Sequence, residues 1–363
     1  MSKRLHYSYE EIMMDHDYVE RIHHKGRLFH GGLDAAGRYV PPRTRHRLNA
    51  ISAWSERLRK RRQPDEVVQL ADVDRAFFPS VPQAKLLLRS GAKEALTRIL
   101  TLIGVTEGFG NDGIQALPAI DLSHFYTSPL DETCLGHLRT GLMEAHGNDE
   151  AGRGEEAGHD QMWYAIRDAA LENPTITPDM FEELPIAPPP GYTGPAKPAE
   201  EAIGVSSLAT QLFPELSPMF ELTLTALAQI LVIELMAFST FAWAQEVLAD
   251  PLGSAAPRFA PTMVGRISVD ERIHVGYLQC ALAETRCRTL VTAAGSTIAG
   301  GTVVDAIVQK IVVQNTGSRW DRLNRYRMRQ IRAELARRSD GDSLLAEFAQ
   351  LGSVPDEAAA ATA

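Results

Sequence analysis

Three Glu-x-x-His spacings occur in this chain: Glu20/His23, Glu156/His159 and Glu271/His274. Residues three apart share a helix face, so each pair can aim a carboxylate and an imidazole at one point. Those are ligand types that Fe, Mn and Zn accept. The neighbours separate the three. Glu20/His23 stands among Asp17, His24 and Lys25 and reads as a solvated helix end. Ile267, Glu271, His274 and Leu278 form one stripe, apolar at both ends and ionisable in the middle. Glu156, His159, Trp163 and Ile166 form a similar stripe. In both, acid and imidazole are expected to face the core.

Glu234 adds a fourth chemical group. It lies in QILVIELMAF, a run with almost no other polar residue. A lone buried carboxylate is costly, so it must be paired, protonated or bound to a cation. It precedes the break at ADPLGSAAPRFAP by about 14 residues, and Glu271 and His274 follow that break by about 9 to 12, at about 1.5 Å of helix rise each. In an antiparallel hairpin the three groups come to nearly the same level.

The elements that must position these groups are mainly helical. Residues 1–80 read as a cap, with a small hairpin in RLFHGGLDAAGRYVPPRT (27–44) and a basic helix over 43–62. A helical pattern runs from Gln83 to about Gly104, and EGFGNDG (107–113) is expected to end it. Residues 131–172 are helical but interrupted by Gly147, Gly152, Gly154 and Gly158. They form either helix, turn, helix or one strained helix. Residues 173–203, with NPTITP and PIAPPPGYTGPAKP, form a Pro-rich connection. Helices are expected over 216–248, 262–289, 291–313 and 318–338. The resulting organisation is an N-terminal cap (1–80), a helical metal-binding bundle (81–315) and a basic C-terminal helix with its tail (316–363).

Two Glu-x-x-His helices, each with a carboxylate from a neighbouring helix, resemble the ferritin-like di-iron carboxylate family, over roughly residues 83–290. The resemblance implies a four-helix bundle whose two helix pairs are joined by a long crossover, here the Pro-rich segment. It implies two Fe ions, with Mn/Fe as the alternative, held by Glu156, His159, Glu234, Glu271 and His274. A further carboxylate is expected from Glu144 if 147–154 is a tight turn, and from Glu107 or Glu94 of the preceding helix if 131–172 is one helix. Asp160 and Asp270 stand beside these ligands as acceptors that would orient the imidazoles.

The activity implied is that of a di-iron oxidase or oxygenase. It would use O2 to hydroxylate, N-oxygenate, desaturate or cleave a small organic substrate, with electrons from a ferredoxin or reductase. The chain is twice the length a plain iron-storage bundle needs, which favours an enzyme with a shaped pocket.

Bulk properties bound the alternatives. The 363 residues are 44% hydrophobic and 23% charged, with net charge −9, which argues against a general nucleic-acid binder. Cys134, Cys280 and Cys287 make no disulfide framework, and the N-terminus lacks an apolar leader, so a reducing cytoplasmic setting is expected. Residues 222–244 are apolar enough for a membrane span, but Gln229 and Glu234 favour a buried core helix. EGFGNDG lacks the strand–turn–helix context of a dinucleotide site, and AAGSTIAGGT (293–302) lacks the lysine of a phosphate loop, reading instead as close helix packing or a bend. The basic runs 43–62 and 318–338 read as solvated faces. The competing function is a metal-free helical protein binding RNA or an acidic partner, and a hybrid is a di-iron hydroxylase acting on tRNA. A homodimer is compatible with all of these.

Overall fold

A computed structural model describes residues 4–115, 117, 120–177 and 211–355, apart from the side chains of 109–113 and 115. The described chain is mainly helical, with two small antiparallel sheets. Most of the expected Pro-rich crossover, and the end of the tail, lie outside the described residues.

The cap holds a three-stranded sheet: β1 (Glu20–His24), β2 (Arg27–Leu33) and β3 (Tyr39–Val40), in that order. Lys25 and Gly26, both at positive φ, make the first turn. The 27–44 hairpin is present as β2–β3, where the Asp34 carboxylate accepts from the backbone of Ala36 and Arg38. Glu20/His23 is therefore strand, not a helix end: its run Glu20–His24 pairs with Arg27–Leu33. Helix α1 (Arg47–Lys60) follows.

The expected helix 83–104 is two helices. In α2 (Val81–Ser90) the Ser80/Gln83 capping box starts the helix, and left-handed Gly91 ends it. Helix α3 (Glu94–Gln115) then runs straight through the glycine run expected to end it. The reason is packing. A Cβ on Gly104 would lie 2.6 Å from the Tyr164 ring, and one on Gly108 would touch the Asp160 side chain at 3.5 Å. These glycines admit a neighbouring helix rather than breaking their own.

That neighbour is α5 (His159–Leu171), preceded by α4 (Met143–Ala151). The turn between them spans 152–158, later than the 147–154 turn considered from sequence. The long helices α6 (Pro218–Leu248) and α7 (Phe259–Arg286) pack together most extensively, and α7 also packs on α5. Helix α6 is long and apolar enough to cross a membrane, yet most of its apolar window is buried in the protein. Gln229 and Asn315 exchange amide hydrogen bonds there.

The segment expected as helix from 291 begins instead as a hairpin, β4 (Thr289–Val291) and β5 (Thr297–Ala299). Gly295 at φ +78° supplies its turn. AAGSTIAGGT is thus mostly turn and strand. Helices α8 (Gly300–Thr316), α9 (Ser318–Leu335) and α10 (Gly341–Gln350) complete the chain.

Two apolar clusters fill the interior. One takes Phe220–Leu235 of α6 and Ile273–Ala283 of α7; the other takes Phe241–Leu248 and Ala260–Ile267. Glu234, Glu271 and His274 lie where the two clusters meet, so a polar layer is enclosed by hydrocarbon on both sides.

Candidate metal centre

The polar layer is built by five helices. Helix α3 supplies Glu107, α4 supplies His146 and Glu150, α5 supplies His159, α6 supplies Glu234, and α7 supplies Glu271 and His274. These side chains form two groups whose ligand atoms lie within 4.8 Å of one another: His146, Glu150, Glu234 and His274, and Glu107, Glu150, His159 and Glu271. Glu150 belongs to both.

The distances identify Glu150 as the hub. Its Oε1 lies 3.4 Å from His146 Nε2, 3.3 Å from His159 Nδ1 and 3.2 Å from His274 Nδ1. Glu271 spans the same gap, with Oε1 2.8 Å from His159 Nδ1 and Oε2 2.7 Å from His274 Nδ1. Glu234 Oε1 is 3.1 Å from His146 Nε2 and 3.8 Å from His274 Nδ1. Glu107 Oε2 is 3.7 Å from His159 Nδ1.

The outer imidazole nitrogens are all engaged. His159 Nε2 lies 3.2 Å from Asp270 Oδ2, and His274 Nε2 lies 3.1 Å from Asp149 Oδ2. His146 Nδ1 meets the Tyr277 hydroxyl at 2.8 Å. Asp270 Oδ2 also takes the Tyr39 hydroxyl at 2.7 Å and faces His30 Nε2 at 3.1 Å. Asp149 is clamped by the buried Arg43 and Arg47, whose Nη2 donates to Oδ2 at 2.6 Å. The cap therefore reaches the layer through both aspartates.

The donor set fits a metal on four atoms in particular. His146 Nε2, Glu150 Oε1, His159 Nδ1 and Glu271 Oε1 are buried and have no hydrogen-bond partner. Buried polar atoms are normally satisfied, and these four are among the atoms that converge. Metal–ligand bonds of about 2.0–2.2 Å place neighbouring donors about 3 Å apart, close to the spacing seen. Buried groups of His and Glu here can hold a metal ion.

Charge agrees. Among the described residues the layer holds six carboxylates, Glu107, Asp149, Glu150, Glu234, Asp270 and Glu271, and two guanidiniums, Arg43 and Arg47, both paired with Asp149. Burial pushes the Glu107 carboxyl up to about 8 and raises Glu234 well above the carboxylate range, with Glu271 adding to the latter. Burial opposes a charged imidazole at His159 and His274, but Glu150 and Glu271 at the first, and Glu271 and Asp149 at the second, outweigh it and hold both pKa values well above normal. Burial likewise opposes the Glu150 charge, and the surrounding imidazoles overcome it. Protons thus offset an excess of negative charge that divalent cations could offset instead.

Of the residues singled out from sequence, Glu107, His159, Glu234, Glu271 and His274 meet in this layer. Glu144 and Glu156 do not. Glu144 is exposed and accepts from the Tyr9 hydroxyl at 2.7 Å. It sits two residues from His146, hence on the other side of α4. Glu156 lies in the turn before α5, not on the helix. Its backbone pairs with Arg153, while Ala157 bridges to β2. Its carboxylate pairs with Arg21 and reaches Arg43 at 3.7 Å. Glycine makes that turn: a Cβ on Gly158 would lie 2.2 Å from Gly152 N. Asp270 does lie against His159, on its Nε2. Asp160 accepts from the Gln161 backbone, and burial pushes it up to about 6.

His146 and Glu150 were missed from sequence. Their signal was the spacing of four, which puts both on one face of α4. Asp149, Arg43 and Arg47 were missed as well, because the 43–62 run reads as a solvated face while its first arginines point inward.

The other basic run is also partly internal. Arg319 donates to Asn315 at 2.9 Å, and burial pushes its pKa down to about 10. Arg327 is stacked 4.2 Å over the Phe77 ring and pushed down to about 9 by burial. Beside it, a surface cavity of about 440 Å³ is lined by Phe77, Gln83, Asn324, Arg325 and Val354. It shares no residue with the donor groups, so its size carries no weight against their chemistry.

Compared with known proteins, the chain matches no family model, no curated protein and no solved structure. The resemblance to di-iron carboxylate proteins rests on its residues alone.

Proposed function

We propose that this chain is a non-haem di-iron oxidase or oxygenase that uses O2 to oxidise a small organic substrate. The observation that carries the reading is the pair of buried four-residue donor groups sharing Glu150. Two ions fit the charge: six carboxylates, five of them buried and Glu107 partly so, against two buried guanidiniums leave four negative charges, which two divalent cations neutralise with the imidazoles uncharged. Glu107, His159 and Glu271 would hold one ion, and His146, Glu234 and His274 the other, with Glu150 between them. Two adjacent Fe(II) ions, when bound, would supply electrons and open coordination positions for O2.

The chain's own residues do the rest. Asp270 and Asp149 fix the rings of His159 and His274, so Nδ1 faces inward in each. Trp163, Leu231 and Phe241, on the helices that carry His159 and Glu234, are buried and add hydrocarbon to those helices. An external electron donor completes each turnover unless the substrate supplies the electrons.

The test is anaerobic loading with Fe(II), metal analysis, then O2 uptake, on wild type and Glu150→Gln. The expected result is two irons per chain and O2 uptake in the wild type, with both lost in the variant. Wild type that retains no stoichiometric metal would leave a hydrogen-bonded polar layer and end the reading.

A further inference from the structure

Away from the metal layer, the first half of α9 meets the segment leading into α2, and Arg327 is buried there. Its guanidinium lies 4.2 Å from the Phe77 ring centre and 5.5 Å from that of Trp320, and its Nη1 donates to Asn324 Oδ1 at 3.0 Å. Its Nε has no hydrogen-bond partner. Burial is the whole cause of its lowered pKa, about 9, with no carboxylate among the described residues to oppose it, so it stays a cation at neutral pH. A buried charge without a counterion is costly, and aromatic faces offset only part of that cost. The cavity of about 440 Å³ adjoins this arginine, because Phe77 and Asn324, its two contacts, both line it.

The polar groups of the cavity wall are sorted by their other bonds. Gln83 is spent: its Oε1 accepts from Ser80 N at 2.8 Å and its Nε2 donates to Phe348 O at 3.1 Å. Ser80 Oγ caps α2 by accepting from Gln83 N. Asn324 Oδ1 is taken by Arg327, which leaves the amide Nδ2 as the end open to a ligand. Arg325 also lines the cavity, is half-buried and has no ion-pair partner among the described residues. The open groups are therefore donors, against one exposed carboxylate, Asp321. Two guanidiniums and that carboxylate leave one positive charge, and Phe77 and Phe78 make the wall apolar. We propose that this cavity binds a small monocarboxylate with an apolar body, its carboxylate on Arg325 and Asn324 Nδ2 and its body against Phe77 and Phe78. A guanidinium and a carboxylate suit one another in charge and shape, and a cavity of this size is ordinary for a small ligand. Arg327 is a positioning residue: it fixes which end of the Asn324 amide is open and holds a positive field in a wall of low dielectric. The site shares no residue with the metal donor groups and does not depend on the oxidase reading.

The experiment titrates the full chain with para-fluorobenzoate and, separately, with its neutral counterpart para-fluorobenzamide, followed by fluorine NMR of the probe. Wild type is expected to bind the benzoate, and to bind the benzamide about 10–100-fold more weakly, as loss of a charged hydrogen bond requires. Arg325→Gln is expected to weaken the benzoate by a similar factor and to leave the benzamide unchanged. Arg327→Met is expected to lose the preference for benzoate while its urea midpoint stays level or rises, because an unpaired buried charge has been removed. No binding of benzoate by wild type, equal binding of the two probes, or unchanged benzoate binding in Arg325→Gln each overturns the proposal. A lowered midpoint with the preference intact would make Arg327 a packing residue and overturn its part. Should Arg327→Met not fold, the half-buried Arg325 variant decides alone. Displacement of the probe more readily by inorganic phosphate than by unlabelled benzoate would make this a phosphate site and also overturn it. Carboxylates bind metal ions too, so Glu150→Gln is titrated alongside: benzoate binding is expected to persist there, and its loss would place the probe at the metal layer, against the proposal.

Discussion

Asp149 Oδ2 lies 3.1 Å from His274 Nε2, and that one contact turns the other ring nitrogen, Nδ1, toward Glu150. Asp149 is wholly buried, and Arg43 and Arg47 keep its pKa well below the usual carboxylate value against the cost of burial. Asp149→Asn should act twice. The amide can donate to Nε2 and so favour the wrong ring tautomer, lowering metal affinity about 10–100-fold. It also leaves two buried guanidiniums short of an anion, which costs about 3–5 kcal/mol. Isothermal titration with Mn(II) and urea unfolding read the two effects separately. An unchanged affinity in a destabilised protein would reduce Asp149 to a purely structural role.

Glu150 and Glu156 are six residues apart and should behave oppositely. Glu150→Gln removes the carboxylate common to both donor groups and is expected to abolish tight binding of both ions. Glu156→Gln breaks only the Arg21 and Arg43 contacts of a half-exposed turn. It should keep full metal content and lose no more than about 1 kcal/mol. Metal analysis after gel filtration, beside a thermal melt, checks both. Loss of metal in Glu156→Gln would return that residue to the centre.

Two glycines of α3 make a matched pair. Gly104→Ala would place its Cβ 2.6 Å from the Tyr164 ring, and overpacking of this kind costs about 1–3 kcal/mol. Gly108→Ala would meet Asp160 at an ordinary 3.5 Å, and should gain about 0.5–1 kcal/mol from helix propensity. Chemical denaturation gives the two signs. Two stabilising substitutions would mean that α3 and α5 do not approach so closely.

Glu284 supplies a pH test away from the metal layer. It accepts from the backbone of Cys134 and Leu135 at 3.2 and 3.0 Å, yet burial pushes it up to about 7. Its folded pKa is raised, so its contribution is fully present below the ordinary carboxylate value and is lost as pH rises through 7. The loss amounts to about 3 kcal/mol at most. Glu284→Gln, which is never charged, should make the fall in stability between pH 4.5 and 7 shallower than in wild type, as measured by urea midpoints across that range.

How much of this was legible follows from the regularity of each segment. Glu234, Glu271 and His274 sit on long uninterrupted helices, where steps of three and four translate directly into a face. The α4–α5 region defeated the same logic. Gly152 and Gly158 replace the expected helix by a turn, so Glu156, three residues before His159, leaves the face it would have shared. His146 and Glu150 do share one, but on a helix of nine residues flanked by glycines, where the local pattern equally allows a turn. Glu107 is only one of two alternatives in the sequence because glycines can either end a helix or admit a neighbour, and only the neighbour decides. The inward turn of Arg43 and Arg47 depends on Asp149, a hundred residues away, and no local pattern contains it.

The cap reaches the donor layer through partners far along the chain: Arg21 with Glu156, His30 with Asp270, Arg43 with Asp149. Such distant pairings are slow to form, because each closes a long loop before any contact rewards it. On the ribosome the order is sharper still. Arg43 and Arg47 emerge first and wait, as exposed cations, for Asp149; His159 waits for Asp270; and Glu150 waits for His274. No part of the centre can be completed until α7 has been synthesised, so nascent chains up to that point carry unpaired carboxylates and the apolar α6 together. Of the helices that carry donors α7 is the last, and it brings His274 to Glu150 and packs along α6 together.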